Sequence, residues 1–446
     1  MELQPTGCGG ATPSVGAGTP HGAPPRLRWS NPVEFLLSCV GNAVGLGNIW
    51  RFPYLCFKNG GAAFLVPYFL FTLLFGVPLV FVEMAVGQRF QLGPSKLWGQ
   101  ISPYLGGLGM CGVVAGFILG LYYNVIIGWS LWFFFHSFVY PLPWDENNGV
   151  GPEEYFFSRT LRLWADGATS PLQTEEGWWP SIGEPGPLVW PQVGFLALSW
   201  VLIWLCVWKG IGSVGKVIWF TALFPYVVLL ILLIRGVTLP GAWRGLRFFL
   251  VPDFARLGQV QTWIDAANQV FFSLGIGFGG MVTFASYNAP NHNFLRDAWL
   301  VPLINGATSI LGGFVVFSVL GHLSWLEGVD VEDVAASGPG LTFVVYPEAL
   351  AAFPGAPNVF AALFFLMLLC LGIDSAFAIA ETSLTGTRCR CGCRSCRCRR
   401  SLSGRSAPSQ RSPTRASSPS SQSACALPRT ARSASSAGCS SSRAAG

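Results

Sequence analysis

GNAVGLGN, residues 41–48, places three glycines and two asparagines inside a stretch otherwise apolar enough to cross a bilayer. In lipid every backbone polar group needs a partner, so irregular backbone persists only where it is buried in protein or lines a cavity. Each glycine costs a helix about 1 kcal/mol relative to alanine, and its missing side chain lets backbone approach a ligand closely. An unwound segment frees carbonyl oxygens that can replace the water shell of a cation. It also leaves a half-helix N-terminus, whose positive dipole end suits a carboxylate. One such stretch is equally well explained as a glycine-mediated helix contact. A second stretch, SLGIGFGG at 273–280, repeats the pattern. Two interrupted spans, the first and the sixth, mark an inverted-repeat transporter with its site between the broken helices. Their odd offset of five puts the two repeat units in opposite orientations.

The chain of 446 residues is 51% hydrophobic and only 11% charged, with a mean hydropathy of +0.48. A soluble protein carries about a quarter charged residues, so the composition indicates an all-α polytopic membrane protein. Stretches long and apolar enough to span lie near 33–57, 62–86, 106–139, 188–208, 217–234, 267–289, 298–321 and 357–380. The third has no Asp, Glu, Lys or Arg and exceeds one crossing, so it is expected to tilt or project beyond the bilayer. Residues 1–25 are Gly/Pro/Ala/Thr-rich with no apolar core; they read as a disordered cytoplasmic tail rather than a cleavable signal.

Loop charges set the orientation. Arg26, Arg28, Arg89, Lys96, Lys209 and Lys216 fall in segments that read as cytoplasmic. The loop 140–187 carries Asp145, Glu146, Glu153, Glu154, Asp166, Glu175, Glu176 and Glu184 against only Arg159 and Arg162, and reads as a large extracellular loop. The acidic loop 322–356 belongs on the same side. A multi-pass protein of the plasma membrane with a cytoplasmic N-terminus follows. The scattered cysteines predict no disulfide in the outer loop, and N-x-S/T is absent, so N-glycosylation is not expected.

The text changes character after Gly386. Residues 387–446 hold twelve Arg, no Lys, Asp or Glu and no aromatic residue. The chain is formally +6, so removing that tail's twelve charges leaves −6 on residues 1–386. CRCGCRSCRC at 389–398 offers thiols for a soft metal, and the Arg–Ser run could hold RNA or anionic lipid. The composition fits better with GC-rich DNA read out of frame or through an intron, so the tail reads as disordered and aberrant. No nucleic-acid partner is expected.

RLRW (26–29), GNAVGLGNIWRFPYLCFKNGG (41–61), PYFLF (67–71), GLYYNVIIGWS (120–130), QVFFSLGIGFGG (269–280), FASYN (284–288), LINGATS (303–309) and LGIDS (371–375) resemble the neurotransmitter–sodium symporters, the solute carrier 6 family. The motifs follow the first eight of the family's twelve spans across residues 26–386, the transporter core. The inverted-repeat fold is therefore expected to be incomplete. YYNVIIGWS with YPLPW (140–144) looks most like the branch that carries neutral amino acids, its orphan members included.

The resemblance implies a sodium-coupled and chloride-dependent symporter of small neutral amino acids working by alternating access, with Na+ and Cl− as cofactors. One sodium site would use Ala43, Asn48, Ser273 and Asn305, the other Gly41, Val44, Leu371, Asp374 and Ser375. Oxygens of amide, hydroxyl, carboxylate and carbonyl are what a hard cation takes. Asp374 also stands out unaided, because a lone carboxylate in an apolar span costs about 2.5–3.5 kcal/mol on insertion scales and normally pairs inside the bundle. The chloride site would be Tyr68, Gln269, Ser273, Asn305 and Ser309, a ring of hydroxyl and amide donors; chloride-independent relatives carry a carboxylate in place of Ser309. The substrate pocket would comprise Ala43, Leu46, Gly47, Leu119, Tyr123, Phe272, Gly275, Phe278, Ser375 and Ile379. Monoamine carriers place an Asp where this chain has Gly45, so glycine fits a substrate that brings its own carboxylate.

The gates implied by the family are Arg51 outside, and Arg26, Trp29, Ser286 and Tyr287 inside. The acid that pairs with Arg51 would lie in a tenth span, and the inner acid would fall at about position 389, where the sequence has Cys389. These departures support a second reading, a non-transporting or mis-predicted product, able to oligomerise with itself or a full-length sibling. An intramembrane aspartyl protease needs two facing carboxylates, and only Asp374 is expected deep in a span, so an enzyme is not expected.

Overall fold

The computed structural model describes residues 28–145, 149–162, 188–208, 210–334, 340–353 and 355–387. Arg26, Lys209 and the tail beyond 387 lie outside them. The chain starts its first helix at Asn31, whose side chain accepts a hydrogen bond from Val33 N, with Pro32 in the first turn. Helix α1 (Pro32–Ala43) and helix α2 (Leu46–Lys58) form one span bent by 58°. Next come α3 (Gly61–Phe90), the short α4 (Pro94–Ile101) and the 31-residue α5 (Gly106–His136). At 1.5 Å per residue α5 is about 46 Å long, more than a hydrocarbon core of about 30 Å. Helices α6 (Trp190–Val207) and α7 (Ile211–Val237) follow, then the short α8 (Ala242–Leu250).

The second broken span is α9 (Val260–Ser273) and α10 (Gly280–Ala285), separated by Leu274–Gly279. Helix α11 (Phe294–Glu327), the shorter α12 (Leu341–Ala351) and α13 (Pro357–Thr387) complete the order. Among the described residues six helices are long and apolar enough to cross a membrane, and α1 with α2 makes a seventh. The expected sixth span is present as the pair α9 and α10, whose halves are each too short to qualify alone. Most helices outrun the apolar stretches: α11 runs 294–327 rather than 298–321, and α13 runs to 387 rather than 380. Hydropathy ends where charges begin, whereas helical hydrogen bonding continues through them.

The two breaks differ in kind. Val44 (φ −90°, ψ 97°) and Gly45 (φ −129°, ψ −166°) are extended, a conformation open to any residue. Gly41 and Gly47 lie within helices, so only one of the three glycines sits in the first break. In the second, Gly275, Gly277 and Gly279 have φ of +64°, +89° and +85°, where side chains are disfavoured.

Candidate functional site

The first break is held by Asn48, whose Oδ1 accepts from Gly45 N at 3.0 Å. Asn48 Nδ2 donates to Asn305 Oδ1 at 2.9 Å and to Ser309 Oγ at 2.8 Å. Ser273 Oγ donates to the same Asn305 oxygen at 3.0 Å. Residues expected for one sodium site and for chloride thus form a single buried cluster from α2, α9 and α11. Tyr68 is buried beside it, and its hydroxyl bonds Ser309. Gln269 is fully buried with neither side-chain polar atom bonded. An amide left bare in a protein interior forfeits its hydration, so this donor set fits a small ion that would engage it.

Asp374 is 1% exposed and its Oδ1 has no partner. A Cβ on Gly41 would lie 2.8 Å from Asp374 Oδ2. Ser375 Oγ stands 3.5 Å from the carbonyls of both Gly41 and Leu371. Carboxylate, hydroxyl and two carbonyls therefore converge where α13 meets α1, and these are hard-cation donors. Val44, the remaining expected ligand, is buried at the break itself.

Between the breaks lies a cavity of about 70 Å³. All ten residues expected for substrate line it: Ala43, Leu46, Gly47, Leu119, Tyr123, Phe272, Gly275, Phe278, Ser375 and Ile379. Asn42, Gly116, Gly280, Ala378 and Thr382 also line it; Asn42 and Gly280 fall within the two interrupted stretches, whereas Gly116, Ala378 and Thr382 gave no signal in the sequence. The Tyr123 hydroxyl lies between Ser375 and the Leu46 backbone without a bond of good geometry to either. A Cβ on Gly45 would stand 2.8 Å from Ser375 Oγ and 3.4 Å from Tyr123 Oη. Gly45 is therefore needed for space rather than for backbone freedom.

Above the cavity, the Arg51 guanidinium stacks 4.6 Å from the centre of the Phe272 ring. No ion pair to Arg51 occurs among the described residues. Lys58 Nζ binds Asp265 Oδ2 at 3.0 Å, tying α2 to α9. On the opposite side Trp29 Nε1 donates to Phe284 O at 3.0 Å and Trp29 N to Tyr287 O at 3.3 Å. Ser286 Oγ donates to Thr283 O at 2.5 Å. Tyr287 Oη donates to Glu381 Oε1 at 2.5 Å.

Glu381 was missed because the apolar stretch appeared to end one residue before it. The expectation that Asp374 alone lies deep in a span is corrected: Glu381 (5% exposed) and Glu83 (8%) are buried too. Asp374 and Glu381 are two helical turns apart on one helix, and do not face each other as catalytic carboxylates would. Among the described residues no cluster of three or more His, Cys, Asp or Glu is placed to hold a metal ion.

Residues 26–401 match the sodium:neurotransmitter symporter family. The chain belongs to that family. Among curated members, the sodium- and chloride-dependent taurine transporter of Homo sapiens is 44% identical over 381 residues, 82% of this chain and 61% of that one. The bovine (Bos taurus) taurine transporter is 43% identical over 379 residues, with the same coverage of 82% and 61%. The human sodium- and chloride-dependent creatine transporter 1 is 43% identical over 393 residues, 83% of this chain and 62% of that one. This chain thus spans about three-fifths of the length of the curated relatives it matches. The crystal structure of MhsT in complex with L-phenylalanine superposes with a TM-score of 0.62 at 28% identity, covering 80% of this chain and 74% of that one. The curated relatives named here are transporters.

Proposed function

We propose that this chain encodes the substrate and ion sites of a sodium-coupled, chloride-assisted symporter for a small zwitterionic amino acid. The observation that carries the reading is the convergence of all ten expected pocket residues on one cavity between the two helix breaks. The acid group of the substrate would meet Tyr123 and the backbone at Gly45 and Leu46, beside the sodium held by Ala43, Asn48, Ser273 and Asn305. Sodium and substrate would then stabilise each other's binding, a reciprocal coupling. Gly41, Val44, Leu371, Asp374 and Ser375 would hold a second sodium. The names of the relatives support Na+ and Cl− as companions of the substrate. They also widen its chemistry: taurine and creatine carry an acid group and a cationic nitrogen, as a neutral amino acid does. The small, largely apolar cavity favours a compact member of that class, and we keep neutral α-amino acids as the finer reading.

The test is binding of radiolabelled neutral L-amino acids, taurine and creatine to the purified chain in nanodiscs, with sodium or choline as the cation. Saturable binding of at least one ligand in sodium alone supports the reading, and equal binding in both salts overturns it. Uptake into sealed vesicles is a separate proposal, because Arg51 has no described ion pair with which to close an outer gate. Binding without uptake would identify a non-transporting product.

Two substitutions sharpen the site. Gly45→Ala should weaken ligand binding roughly ten-fold, because the new methyl displaces Ser375 or Tyr123 from the cavity wall by overpacking; unchanged affinity would remove Gly45 from the pocket. Ser309→Glu puts a fixed negative charge where the anion would sit. Ligand binding by that variant should become indifferent to replacing chloride with gluconate, whereas the wild type should lose affinity; a wild type indifferent to chloride would refute the anion site.

A further inference from the structure

Glu83, on α3, is more than nine-tenths buried. Its Oε1 accepts from Gly277 N at 2.8 Å, inside the second helix break. Its Oε2 is buried and has no partner. The carboxyl group borders a cavity of about 90 Å³ distinct from the substrate cavity, with Pro94, Trp98, Gly109, Gly112, Gly277 and Gly279 among its walls. Much of the wall is bare backbone: a Cβ on Gly112 would stand 2.5 Å from Gly277 O, and one on Gly109 2.0 Å from Pro94 O. A water needs about 10–15 Å³ on this measure, so the cavity has room for water. Pro94 and Trp98 of α4 border it, near Arg89 and Lys96, whose charges read as cytoplasmic in the sequence.

A buried carboxylate without a counter-charge is unstable in so apolar a place. Glu83 has no salt bridge among the described residues. The charged or titratable groups nearest it along the surrounding elements are Arg89 on its own helix, Lys96 on α4, Cys111 on α5, and Arg296 and Asp297 on α11; Tyr68, Tyr122, Tyr123, His136, His322 and Glu327 lie farther along the same helices, and α10 has none. Asp297 is engaged by His292, and no charged side chain pairs with Glu83 among the described residues. A metal ion would need about six oxygens. The cavity offers one carboxylate, with carbonyls of Gly277 and Pro94 directed at the glycines of α5.

We propose that Glu83 is a proton-binding site coupled to the second helix break. Oε1 holds the Gly277 N–H, while Oε2 carries the proton and donates it to cavity water that exchanges with the cytoplasm. Loss of the proton leaves a carboxylate held by one N–H and cavity water with no counter-charge, so the Gly275–Gly279 loop must shift to bring further donors or a cation to it. Gly275 and Phe278 line the substrate cavity, so proton and ligand occupancy are linked. The link to ligand rests on the function proposed above; the proton site itself does not.

Infrared spectroscopy of the purified chain in nanodiscs between pH 5 and 9 tests it. The wild type should show a protonated-carboxyl C=O band at neutral pH that Glu83→Gln removes. Glu83→Asp should shift rather than abolish the band, and serves if the glutamine variant does not fold. Sodium-dependent ligand binding should weaken roughly ten-fold on raising the pH through the loss of the band, a one-unit linkage, and Glu83→Gln should flatten that profile. A wild type with no Glu83-dependent acid band overturns the proposal, as does a Glu83 carboxylate band that responds to sodium instead. Absence of ligand binding with the acid band present would refute the function proposed above and leave the proton site standing.

Discussion

Asp374→Asn is expected to raise the sodium concentration for half-maximal ligand binding about a hundred-fold, the effect of removing the charged partner from a buried ion pair. Asparagine keeps the volume and one side-chain oxygen, so the helix should still pack. What it loses is the only formal negative charge at the meeting of α13 and α1, where Ser375 Oγ lies 3.5 Å from the Gly41 carbonyl. Burial at 1% exposure and an unpartnered Oδ1 make that charge untenable without a cation. Sodium titration of ligand binding, or of thermal stability in detergent, provides the measurement. A midpoint within a factor of three of the wild type would show that Asp374 serves packing alone. The contrast variant is Gly41→Ala, whose methyl would crowd Asp374 Oδ2 at 2.8 Å and should weaken sodium binding without removing the charge.

Gly245→Val should be strongly destabilising. A Cβ at Gly245 would fall 1.8 Å from Phe317 O and 2.7 Å from Gly321 N, both backbone atoms of α11 that cannot rotate away. Helix α8 lies against α11 with Gly245 and Gly321 in mutual contact, close backbone packing that small residues permit. Forcing a branched side chain between them should cost about 3 kcal/mol or more and lower the unfolding temperature by at least about 5 °C. Gly107→Ala, where nothing lies within 4 Å, is the matched control and should be neutral. Equal thermal stability of the two variants would mean that α8 is not held against α11 in the folded protein.

The sequence was most legible where chemistry and apolar pattern conflict. Glycines in an apolar span pointed to both breaks, and a carboxylate among leucines pointed to Asp374. Which glycine would break the helix was not legible: Gly41 and Gly47 remain helical, Gly41 where a Cβ would crowd Asp374 and Gly47 where one would meet Phe272 at ordinary contact distance. Glu381 and Glu83 were undervalued for a shared reason. Each lies near the end of an apolar stretch, where a charge looks solvated, yet the helices continue and neighbouring elements cover them. The inner members of the cavity wall, Gly116 and Ala378, carry no polar atom in their side chains that periodicity could flag. Arg51 was read as awaiting an acid from a span beyond this sequence; among the described residues its guanidinium stacks on the ring of Phe272.

The two breaks should also differ in their genetics. Gly45 is confined by neighbouring side chains, Ser375 and Tyr123, so a larger residue there can be rescued by trimming a neighbour or by offering a smaller ligand. Gly275, Gly277 and Gly279 are confined by the sign of their own φ angles, and no change elsewhere can restore that freedom to a side chain. A screen for second-site suppressors should therefore recover revertants of Gly45→Ala at positions 123 and 375, and only true reversion at 277.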